Sequence, residues 1–254
     1  MHKFLVSAAL LFTFTVVPVT VTSDIYVNCG STGTSTAVNG REWVGDDVYP
    51  NFLAIKGSST KTTVTDEVIL LPHVDPVPYR TARISRSHFS YIFQVSPGQK
   101  FIRLHFNPTS SYHGPPLDMF TVEAGPFTLL SNFSASITAD ALSLKFFSKE
   151  FCLNIEEKQQ LTISFFSQSQ DRHAFVNGIE IISVPESISY FDTGDVGVQV
   201  VGKKSLVYID NSTALEMVLQ CNVKRDSVSS DDDFHSKFWM WATVTKRKGK
   251  QGQE

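Results

Sequence analysis

Several features that would assign a function directly are scarce in this sequence. Cysteine occurs only as Cys29, Cys152 and Cys221, so at most one disulfide can form within the chain, and the sequence leaves open which pair would form it. The formal net charge of −3 over 254 residues gives no overall attraction to nucleic acid or to anionic lipid. Beyond Val21, no apolar run approaches the roughly 20 residues of a membrane-spanning helix. These absences predict a soluble protein that does not bind nucleic acid.

Motifs for catalysis and metal binding are missing as well. The seven histidines show no H-x-x-x-H spacing and the cysteines no C-x-x-C spacing, so zinc is not expected, and His105 is interpreted as a partly exposed strand residue. There is no G-x-S-x-G elbow, and no kinase Gly-rich loop, His-Arg-Asp or Asp-Phe-Gly motif. A glycosidase would need two facing carboxylates, and nothing in the sequence selects such a pair. The prediction is a protein that is not an enzyme and holds no metal or cofactor.

The N-terminus has the pattern of a secretory signal peptide. Lys3 is followed by an apolar run from Phe4 to Val17, and the small residue Ser23, with Val21 two places before it, precedes a cleavage point before Asp24. A membrane anchor is the alternative, but the run is short for a spanning helix and Pro18 interrupts its end. Residues 1–23 are therefore predicted to be removed from a secreted chain.

Two N-x-S/T sequons agree with secretion. They lie at Asn132 and Asn211, whereas the motif at Asn107 is blocked by its proline. Sequons also occur by chance, but together with a signal peptide they predict a glycosylated extracellular protein that is modified at Asn132 and Asn211.

The region between about residues 24 and 184 alternates apolar and polar side chains with a period of two. In "KFIRLHF", for example, Ile102, Leu104 and Phe106 share one face of a strand. A Pro-Gly turn joins this run to the preceding "YIFQV", so the two are predicted to form an antiparallel hairpin, and a second hairpin is predicted around Gly125. No stretch of comparable length keeps a helical apolar stripe. Many short strands predict an all-β sandwich of roughly 160–200 residues.

Two further features have structural interpretations. Trp43 in "REWVGDD" is expected to plug the interior near the first turn. Asn177 and Gly178 are expected to form a turn into the last strand, because Asn-Gly tolerates positive φ.

A set of fragments occurs in order, and with the spacing, of a known family. They read "VNCGS", "NGREWVGDD", "TARI", "QVSPGQKFIRLHF", "FTVEAGPFTLLSNFSAS", "AFVNGIEIISVP" and "VYIDNSTALEMV". The stretch from Asp24 to Val223 that contains them resembles the ectodomain of the plant malectin-like receptor kinases, the family typified by FERONIA, ANXUR and THESEUS.

The resemblance implies a malectin-like β-sandwich, antiparallel and jelly-roll-like, of which this chain would carry the first of two tandem modules. Residues 24–222 are then expected to form the module, and residues 223–254 a divergent, disordered tail that ends before the second module. Family members continue into a transmembrane helix and a serine/threonine kinase, so a fragment of such a receptor is the alternative to a secreted recognition module. A carbohydrate-active enzyme is the remaining alternative.

The resemblance also supplies candidate ligand residues. Sugar recognition uses flat aromatic faces and carboxylates on loops that a rigid scaffold holds in place. By position relative to animal malectin, a disaccharide binder, the matching residues are Tyr79, Tyr112 and Asp171. Tyr112 lacks an adjacent second aromatic residue, and both tyrosines could instead pack at the rim of the sandwich.

The partners that the resemblance implies are a cell-wall polysaccharide, or a secreted signalling peptide with its co-receptor, and related receptors. The implied location is the extracellular space of a plant, or the plasma membrane if a full receptor is the product.

Overall fold

The computed structural model describes residues 24–48, 53–63, 75–108, 118–156, 160–185, 191, 198–199, 206–207, 213–222 and 237–244. The predicted signal peptide and two of the predicted site residues, Tyr112 and Asn211, lie outside the described residues.

Short strands make up most of the described chain. The strands are β1 (Ile25–Asn28), β2 (Thr34–Thr36), β3 (Glu42–Gly45), β4 (Leu53–Gly57), β5 (Thr60–Thr63), β6 (Thr81–Ser85), β7 (His88–Gln94), β8 (Gly98–Phe106), β9 (Phe120–Ala124), β10 (Phe127–Phe133), β11 (Phe147–Ile155), β12 (Gln160–Ser167), β13 (Ala174–Val176), β14 (Gly178–Ser183), β15 (Val198–Gln199), β16 (Leu206–Val207), β17 (Ala214–Asn222) and β18 (Lys237–Val244). Helix α1 (Ala135–Leu142) and a 3₁₀ turn (Val77–Tyr79) complete the elements.

Two large sheets pack against each other. One has eight strands in the order β18-β17-β11-β8-β14-β1-β3-β2, and the other has five in the order β10-β9-β12-β7-β4. Smaller sheets join β13, β6 and β5, and β15 with β16. Among the described strands the pairs are antiparallel except β1 with β3. The prediction of an antiparallel all-β sandwich is confirmed.

The core lies between the two sheets and is rich in phenylalanine. Ile102, Leu104 and Phe106 point into it from β8, as the alternation predicts. Phe89 and Phe165 stack there with their ring centroids 4.9 Å apart. Since a fully buried side chain of this size contributes about 1.5–3 kcal/mol, these rings dominate the stability of the sandwich.

The predicted hairpin of β7 and β8 is wrong. Strand β7 pairs with β12 and β4 in the five-stranded sheet, whereas β8 pairs with β11 and β14 in the eight-stranded sheet. The connection therefore crosses the core from one sheet to the other, with Gly98 at φ +106° at its end. A Pro-Gly turn and period-two alternation fit both arrangements, so the local sequence cannot separate them. The second predicted hairpin, β9 with β10 around Gly125, is confirmed.

Helix α1 was not predicted, because eight residues are too few to show a helical stripe. Ser134 caps its N-terminus, where its Oγ accepts a hydrogen bond of 3.2 Å from the backbone N–H of Ile137. The carboxylate of Asp118 accepts from the Ser134 hydroxyl at 3.2 Å and from the Ser136 N–H at 2.8 Å. Ser143 ends the helix in the left-handed conformation at φ +55°. No helix among the described residues is long and apolar enough to span a membrane.

The predicted tail is partly a strand. Within residues 223–254 the structure describes Lys237–Val244, which form β18 and pair antiparallel with β17. The expectation of disorder is therefore wrong for these eight residues, because the sequence "KFWMWATV" is rich in aromatic and β-branched residues that favour strands. The remainder of the tail lies outside the described residues.

The expected Asn-Gly turn is not a turn. Asn177 is fully buried where the chain passes from β13 to β14, which belong to different sheets. Its side chain accepts from the Asn107 N–H at 2.7 Å and donates to the Thr81 carbonyl at 2.9 Å. Gly178 is required for close packing, since a Cβ there would lie 2.7 Å from the Cβ of Pro78. The dipeptide is structural, as expected, but it acts through packing and amide hydrogen bonds.

Two of the three cysteines have described side chains. Cys29 and Cys152 are buried free thiols, so these two do not pair with each other. Burial raises the pKa of both thiols, that of Cys29 well above its usual value. The side chain of Cys221 lies outside the described part of the structure.

Candidate functional site

A cleft of about 580 Å³, lined mostly by polar residue types, lies within the size range of small-ligand sites. Three segments form it: the β4–β5 turn, the β6–β7 turn and the chain that leads into β13. Its described lining consists of Ser58, Ser59, Thr60, Ile84, Ser85, Arg86, Ser87, Gln170, Asp171 and His173. Of the predicted ligand residues with described positions, Asp171 lies in this cleft and Tyr79 does not.

Backbone geometry holds the first two segments together. Gly57 has φ +92°, and a Cβ at this position would lie 2.5 Å from the His88 carbonyl oxygen, so only glycine fits there. The next residue, Ser58, donates its N–H to the same carbonyl at 3.2 Å. The Ser85 hydroxyl in turn donates to the Ser58 carbonyl, which closes the β6–β7 turn onto the β4–β5 turn.

The third segment is fixed by a similar set of bonds. Ser167 donates its N–H to the Ser87 carbonyl at 2.8 Å, and Arg172 donates its N–H to the Ser169 carbonyl at 3.1 Å. The backbone of His173 forms a bridge with Asp118. All three walls of the cleft are therefore attached to the strands beneath them, which is the arrangement that holds a binding site in shape.

A buried ion pair lies under the cleft. The Arg83 guanidinium donates to both oxygens of Asp46, at 2.7 and 2.8 Å. Asp46 is fully buried and also accepts from the Tyr91 hydroxyl at 2.6 Å and from the Gly30 N–H at 2.9 Å. Arg83 completes the link to the surface, because its Nη1 donates to Ser59 in the cleft wall at 3.1 Å. Asp46, Arg83 and Tyr91 are called the Asp46 cluster below.

Burial and charge shift the pKa values in the Asp46 cluster. Burial, together with the neighbouring Cys29 and Asp46, raises the pKa of Tyr91 well above its usual value, so its hydroxyl stays protonated and donates. Burial alone would lower the pKa of Arg83, but the hydrogen bonds to Asp46 more than offset this and raise it. The cluster is therefore a fixed, paired charge and not a reactive one.

Most of the residues that line the cleft carry side chains that can form hydrogen bonds. Arg86 and Asp171 are exposed and contribute one charge of each sign. Five hydroxyl side chains line the cleft with them. That of Ser85 already donates to the Ser58 carbonyl and that of Ser59 accepts from Arg83, so Ser58, Thr60 and Ser87 are the hydroxyls offered to a ligand. Apart from the imidazole of His173, no aromatic ring is among the described lining residues. The cleft can thus bind a hydroxyl-rich or charged ligand through hydrogen bonds, while its described walls offer little stacking surface.

Tyr79 is placed differently from a sugar platform. It is 6% exposed, and its hydroxyl lies 2.9 Å from Nδ1 of His105. Its ring packs on Phe146 at 4.6 Å between centroids and meets His105 edge-on at 5.2 Å. Burial raises the pKa of this phenol. The structure favours the packing alternative for Tyr79.

A second buried charge cluster covers the outer face of the eight-stranded sheet. Arg103 donates to Glu150 at 2.5 Å and to both oxygens of Glu180 at 3.1 and 3.2 Å, and His105 Nε2 lies 2.7 Å from Glu180. His105 is 6% exposed, so its interpretation as a partly exposed residue is wrong: Glu180, Tyr79 and Trp43 enclose it. Arg103, Glu150, Glu180 and His105 are called the Arg103 cluster below.

The Arg103 cluster is held by opposite charges. Burial alone would raise the pKa of Glu180, but Arg103 and then His105 and Arg41 lower it to about 2. Oε2 of Glu150 is buried and has no hydrogen-bond partner among the described residues. Trp43, as expected, is buried against this cluster at 5.5 Å from the His105 ring.

Known proteins share this architecture. No family model matches the sequence. Over 218 aligned residues the chain is 41% identical to the receptor-like protein kinase FERONIA of Arabidopsis thaliana. The alignment covers 84% of this chain and 23% of FERONIA. Its fold superposes on the ANX1 ectodomain from Arabidopsis thaliana with a TM-score of 0.67 and 32% identity, over 79% of this chain and 50% of that one.

The chain belongs to the family of plant malectin-like receptor kinases. A crystal structure of the plant peptide RALF23 in complex with FER and LLG2 also matches, with a TM-score of 0.63 and 40% identity over 79% of this chain and 48% of the matched one. The matches cover the extracellular part of these receptors, and the chain spans about half the length of the solved ectodomains. The predicted family and the malectin-like fold are confirmed.

Asp46, Arg83 and Arg86 were missed as site residues. A signal was available, since Arg83 stands between Ala82 and Ile84 in the strand "TARIS", and Asp46 in "VGDD" follows directly after strand β3. A charge in a buried strand needs a partner of opposite sign, but the sequence does not show which of the acidic residues comes close.

Proposed function

We propose that this chain is an extracellular, non-catalytic recognition module, and that the cleft at Asp171 binds a hydroxyl-rich ligand such as a cell-wall polysaccharide. The observation that carries the proposal is the lining of the cleft, where an exposed carboxylate and an exposed guanidinium stand among five hydroxyl groups on a fixed backbone. Confirmed membership of a receptor ectodomain family supports recognition as the role.

Each polar group in the cleft is proposed to form a particular hydrogen bond with the ligand. The Asp171 carboxylate accepts hydrogen bonds from neighbouring hydroxyls of a sugar, and Arg86 donates to ring or carboxylate oxygens. The serine and threonine hydroxyls complete the set from either side. Tyr112, which lies outside the described residues, remains a proposed stacking residue for the same ligand.

The composition of the cleft supports binding without hydrolysis. Asp171 is the single carboxylate among its described lining residues, whereas glycoside hydrolysis uses two carboxylates that face each other across the scissile bond. Incubation of the purified chain with wall polysaccharides should release no reducing ends. Release that disappears in an Asp171→Ala variant would instead support the carbohydrate-active enzyme.

An array of plant wall polysaccharides tests the binding site. The wild-type chain should enrich at least one polymer, and Asp171→Ala should weaken that binding about 10- to 100-fold, as expected for loss of a charged hydrogen-bond acceptor. Asp140→Ala is the matched control, because Asp140 is also an exposed aspartate but lies on helix α1. No enrichment of any polymer, or equal binding by both variants, would contradict the proposal.

A peptide-signalling complex is the second candidate ligand. The structural match to FER in its complex with RALF23 and LLG2 favours it, at 40% identity. Titration of the chain with RALF23, alone and together with LLG2, separates the two candidates. Binding that requires LLG2 and is unaffected by Asp171→Ala would favour the peptide complex at a surface other than the cleft.

Processing and location belong to the same proposal. Residues 1–23 would be removed in the secretory pathway, residues 24–222 would form the module, and the product would reach the extracellular space, or the plasma membrane as part of a longer receptor. N-terminal sequencing of the secreted chain should begin at Asp24. Sequencing of the transcript across the codons of Leu215–Glu254 would show whether the chain is a fragment of a receptor kinase.

A further inference from the structure

An aromatic pair lies on the outer face of the five-stranded sheet, directly beside the cleft. His88 opens β7 and Phe166 lies opposite it on β12. Their ring centroids are 6.1 Å apart, and the two ring planes are only 15° from parallel. His88 is exposed and Phe166 is half-buried, so both rings keep surface in contact with solvent. His88 and Phe166 are called the aromatic platform below.

Phe166 departs from the alternation of its own strand. Leu161, Ile163 and Phe165 point into the core, and the outward positions between them carry Thr162 and Ser164. At the next outward position the alternation predicts another polar residue, but the strand has a second phenylalanine. The exception lies at the end of β12 that is nearest to the cleft.

The described residues around the platform on this face are polar. Thr121 pairs with Phe166 on the neighbouring strand. The next row across the sheet consists of Lys56, Ser90, Ser164 and Glu123, and the hydroxyls of the two serines lie 2.8 Å apart. A cross-strand aromatic pair stabilises a sheet anywhere along it, so sheet stability alone does not explain why the pair lies beside the cleft.

Backbone hydrogen bonds attach the platform to the walls of the cleft. Ser87 lines the cleft and directly precedes His88. Its carbonyl accepts from the N–H of Ser167, the residue after Phe166, at 2.8 Å. The His88 carbonyl accepts from the N–H of Ser58, another lining residue, at 3.2 Å. The platform and the cleft therefore keep a fixed separation, and they are close enough for neighbouring residues of one sugar chain.

The two surfaces offer complementary contacts. A pyranose ring packs its C–H face on an aromatic ring and hydrogen-bonds through its hydroxyls, and the cleft supplies hydrogen-bonding groups but little stacking surface. Resting on the proposed function of the cleft, we propose that the aromatic platform is a second subsite of the same binding site. It stacks one sugar residue of a polysaccharide while an adjoining residue of that chain occupies the cleft. The ligand class is thus an oligosaccharide or polysaccharide and not a single sugar.

Binding at two linked subsites depends on ligand length. Once a sugar chain is held in the cleft, its contact with the platform is intramolecular and adds affinity without a second encounter. Affinity should therefore rise when the oligosaccharide becomes long enough to reach both surfaces, and it should then level off.

Calorimetric titration of the secreted chain tests this dependence. The probes are ladders from monosaccharide to octasaccharide, prepared from cellulose, xyloglucan and pectin. Phe166→Ala should lower the affinity for the longest bound oligosaccharide about 5- to 30-fold, the range expected for loss of one stacked ring. It should leave the affinity for the shortest bound oligosaccharide unchanged, so the rise with length should disappear.

Two further variants separate stacking from folding. Phe166→Tyr keeps the aromatic face and should bind every oligosaccharide like wild type. Tyr26→Ala is the matched control, because Tyr26 is also a half-buried aromatic residue but pairs with Glu180 on the outer face of the eight-stranded sheet. It should keep the full dependence on length. Circular dichroism of each variant verifies that it is folded.

The predicted sequon at Asn132 is a neighbour of this surface. Asn132 is exposed, and its Oδ1 accepts a hydrogen bond from Nε2 of Gln168, two residues beyond Phe166. The titrations are therefore run before and after treatment with peptide-N-glycosidase. The dependence on length should be the same in both. A dependence that disappears after the treatment would assign it to a glycan and overturn the platform.

Asp171→Ala distinguishes failure of the platform from failure of the cleft. If Asp171→Ala weakens binding while Phe166→Ala binds every oligosaccharide like wild type, the cleft stands and the platform is overturned. If no oligosaccharide binds, or Asp171→Ala has no effect on any of them, the proposed function of the cleft fails and the second subsite fails with it. Weaker binding of long oligosaccharides by both variants, and of the shortest by Asp171→Ala alone, is the result expected for one site with two subsites.

Discussion

The Asp46 cluster and the Arg103 cluster bury similar charges but are completed differently. In the first, both carboxylate oxygens of Asp46 are used by Arg83, Tyr91 and a backbone N–H. In the second, Arg103 contacts the carboxylates of both Glu150 and Glu180, and His105 contacts that of Glu180. Oε2 of Glu150 has no hydrogen-bond partner in the described structure. A buried carboxylate whose two oxygens both have hydrogen-bond partners is rigid and costly to disturb. A buried carboxylate with one unpaired oxygen adds less to stability.

The two clusters also lie in different parts of the sandwich. Arg83 of the Asp46 cluster donates a hydrogen bond to Ser59, which lines the cleft. The cluster therefore holds this part of the proposed binding site in place. The Arg103 cluster lies on the outer face of the eight-stranded sheet and packs against Tyr79 and Trp43. We therefore expect the Asp46 cluster to support the cleft and the Arg103 cluster to stabilise the packing of the outer face.

The largest effect is expected from Arg83→Met. The substitution leaves the fully buried Asp46 without its opposite charge, which should lower the free energy of unfolding by about 3–5 kcal/mol. Urea denaturation of the purified chain measures it. The control is Lys61→Met, which breaks a partly exposed 2.6 Å pair with Asp47 and should cost less than about 1 kcal/mol. Equal losses would mean that burial does not distinguish the two pairs.

The pH dependence of stability should report the Arg103 cluster. Because the pKa of Glu180 is lowered to about 2 in the folded chain, its contribution is fully present above the unfolded pKa of 4.5 and is lost as the pH falls through about 2. A shift of this size corresponds to about 3 kcal/mol. The difference in unfolding free energy between wild type and Glu180→Gln should therefore shrink between pH 4.5 and 2. A difference that stays constant across this window would contradict the assignment.

A smaller loss is expected from Tyr79→Phe. Removing the hydroxyl leaves Nδ1 of the buried His105 without its 2.9 Å partner, which should cost about 1–2 kcal/mol while the ring keeps its packing on Phe146. Ligand binding at the cleft should not change. If Tyr79→Phe instead weakened polysaccharide binding with stability intact, Tyr79 would belong to the binding site after all.

The smallest effect is expected from Glu150→Gln. The replaced oxygen has no hydrogen-bond partner in the described structure, and Glu180 still neutralises Arg103, so the loss should stay below about 1 kcal/mol. Asp46→Asn is the matched change in the Asp46 cluster and should cost more, because an amide NH₂ would face existing donors. Chemical denaturation of both variants decides the comparison, and a larger loss for Glu150→Gln would reverse it.

The sequence predicted those parts of the fold that depend on local pattern. The inward face of β8 and the β9–β10 hairpin follow from alternation and turn chemistry, and these parts are confirmed. The β7–β8 connection could not be predicted, because strand partners are chosen by contacts distant in sequence. Val38 is 88% exposed whereas Asp46 is fully buried, so burial is decided by what packs on a segment and not by its residue types alone.

The candidate site was predicted less well than the fold. Asp171 was matched by its position in the family motif and lies in the cleft, whereas Tyr79, matched in the same way, is buried. The serine-rich walls gave no signal, because isolated hydroxyl residues are common in turns. They become a site only when three segments from distant parts of the chain meet.

Hydrogen exchange of the full chain with and without a bound wall polysaccharide tests the recognition cleft most directly. We expect slower exchange in the three segments that form the cleft, Ser58–Thr60, Ile84–Ser87 and Gln170–His173, with little change at the outer face around Arg103. Protection at the outer face, with none in the three cleft segments, would mean that the polysaccharide binds at the outer face and not in the cleft.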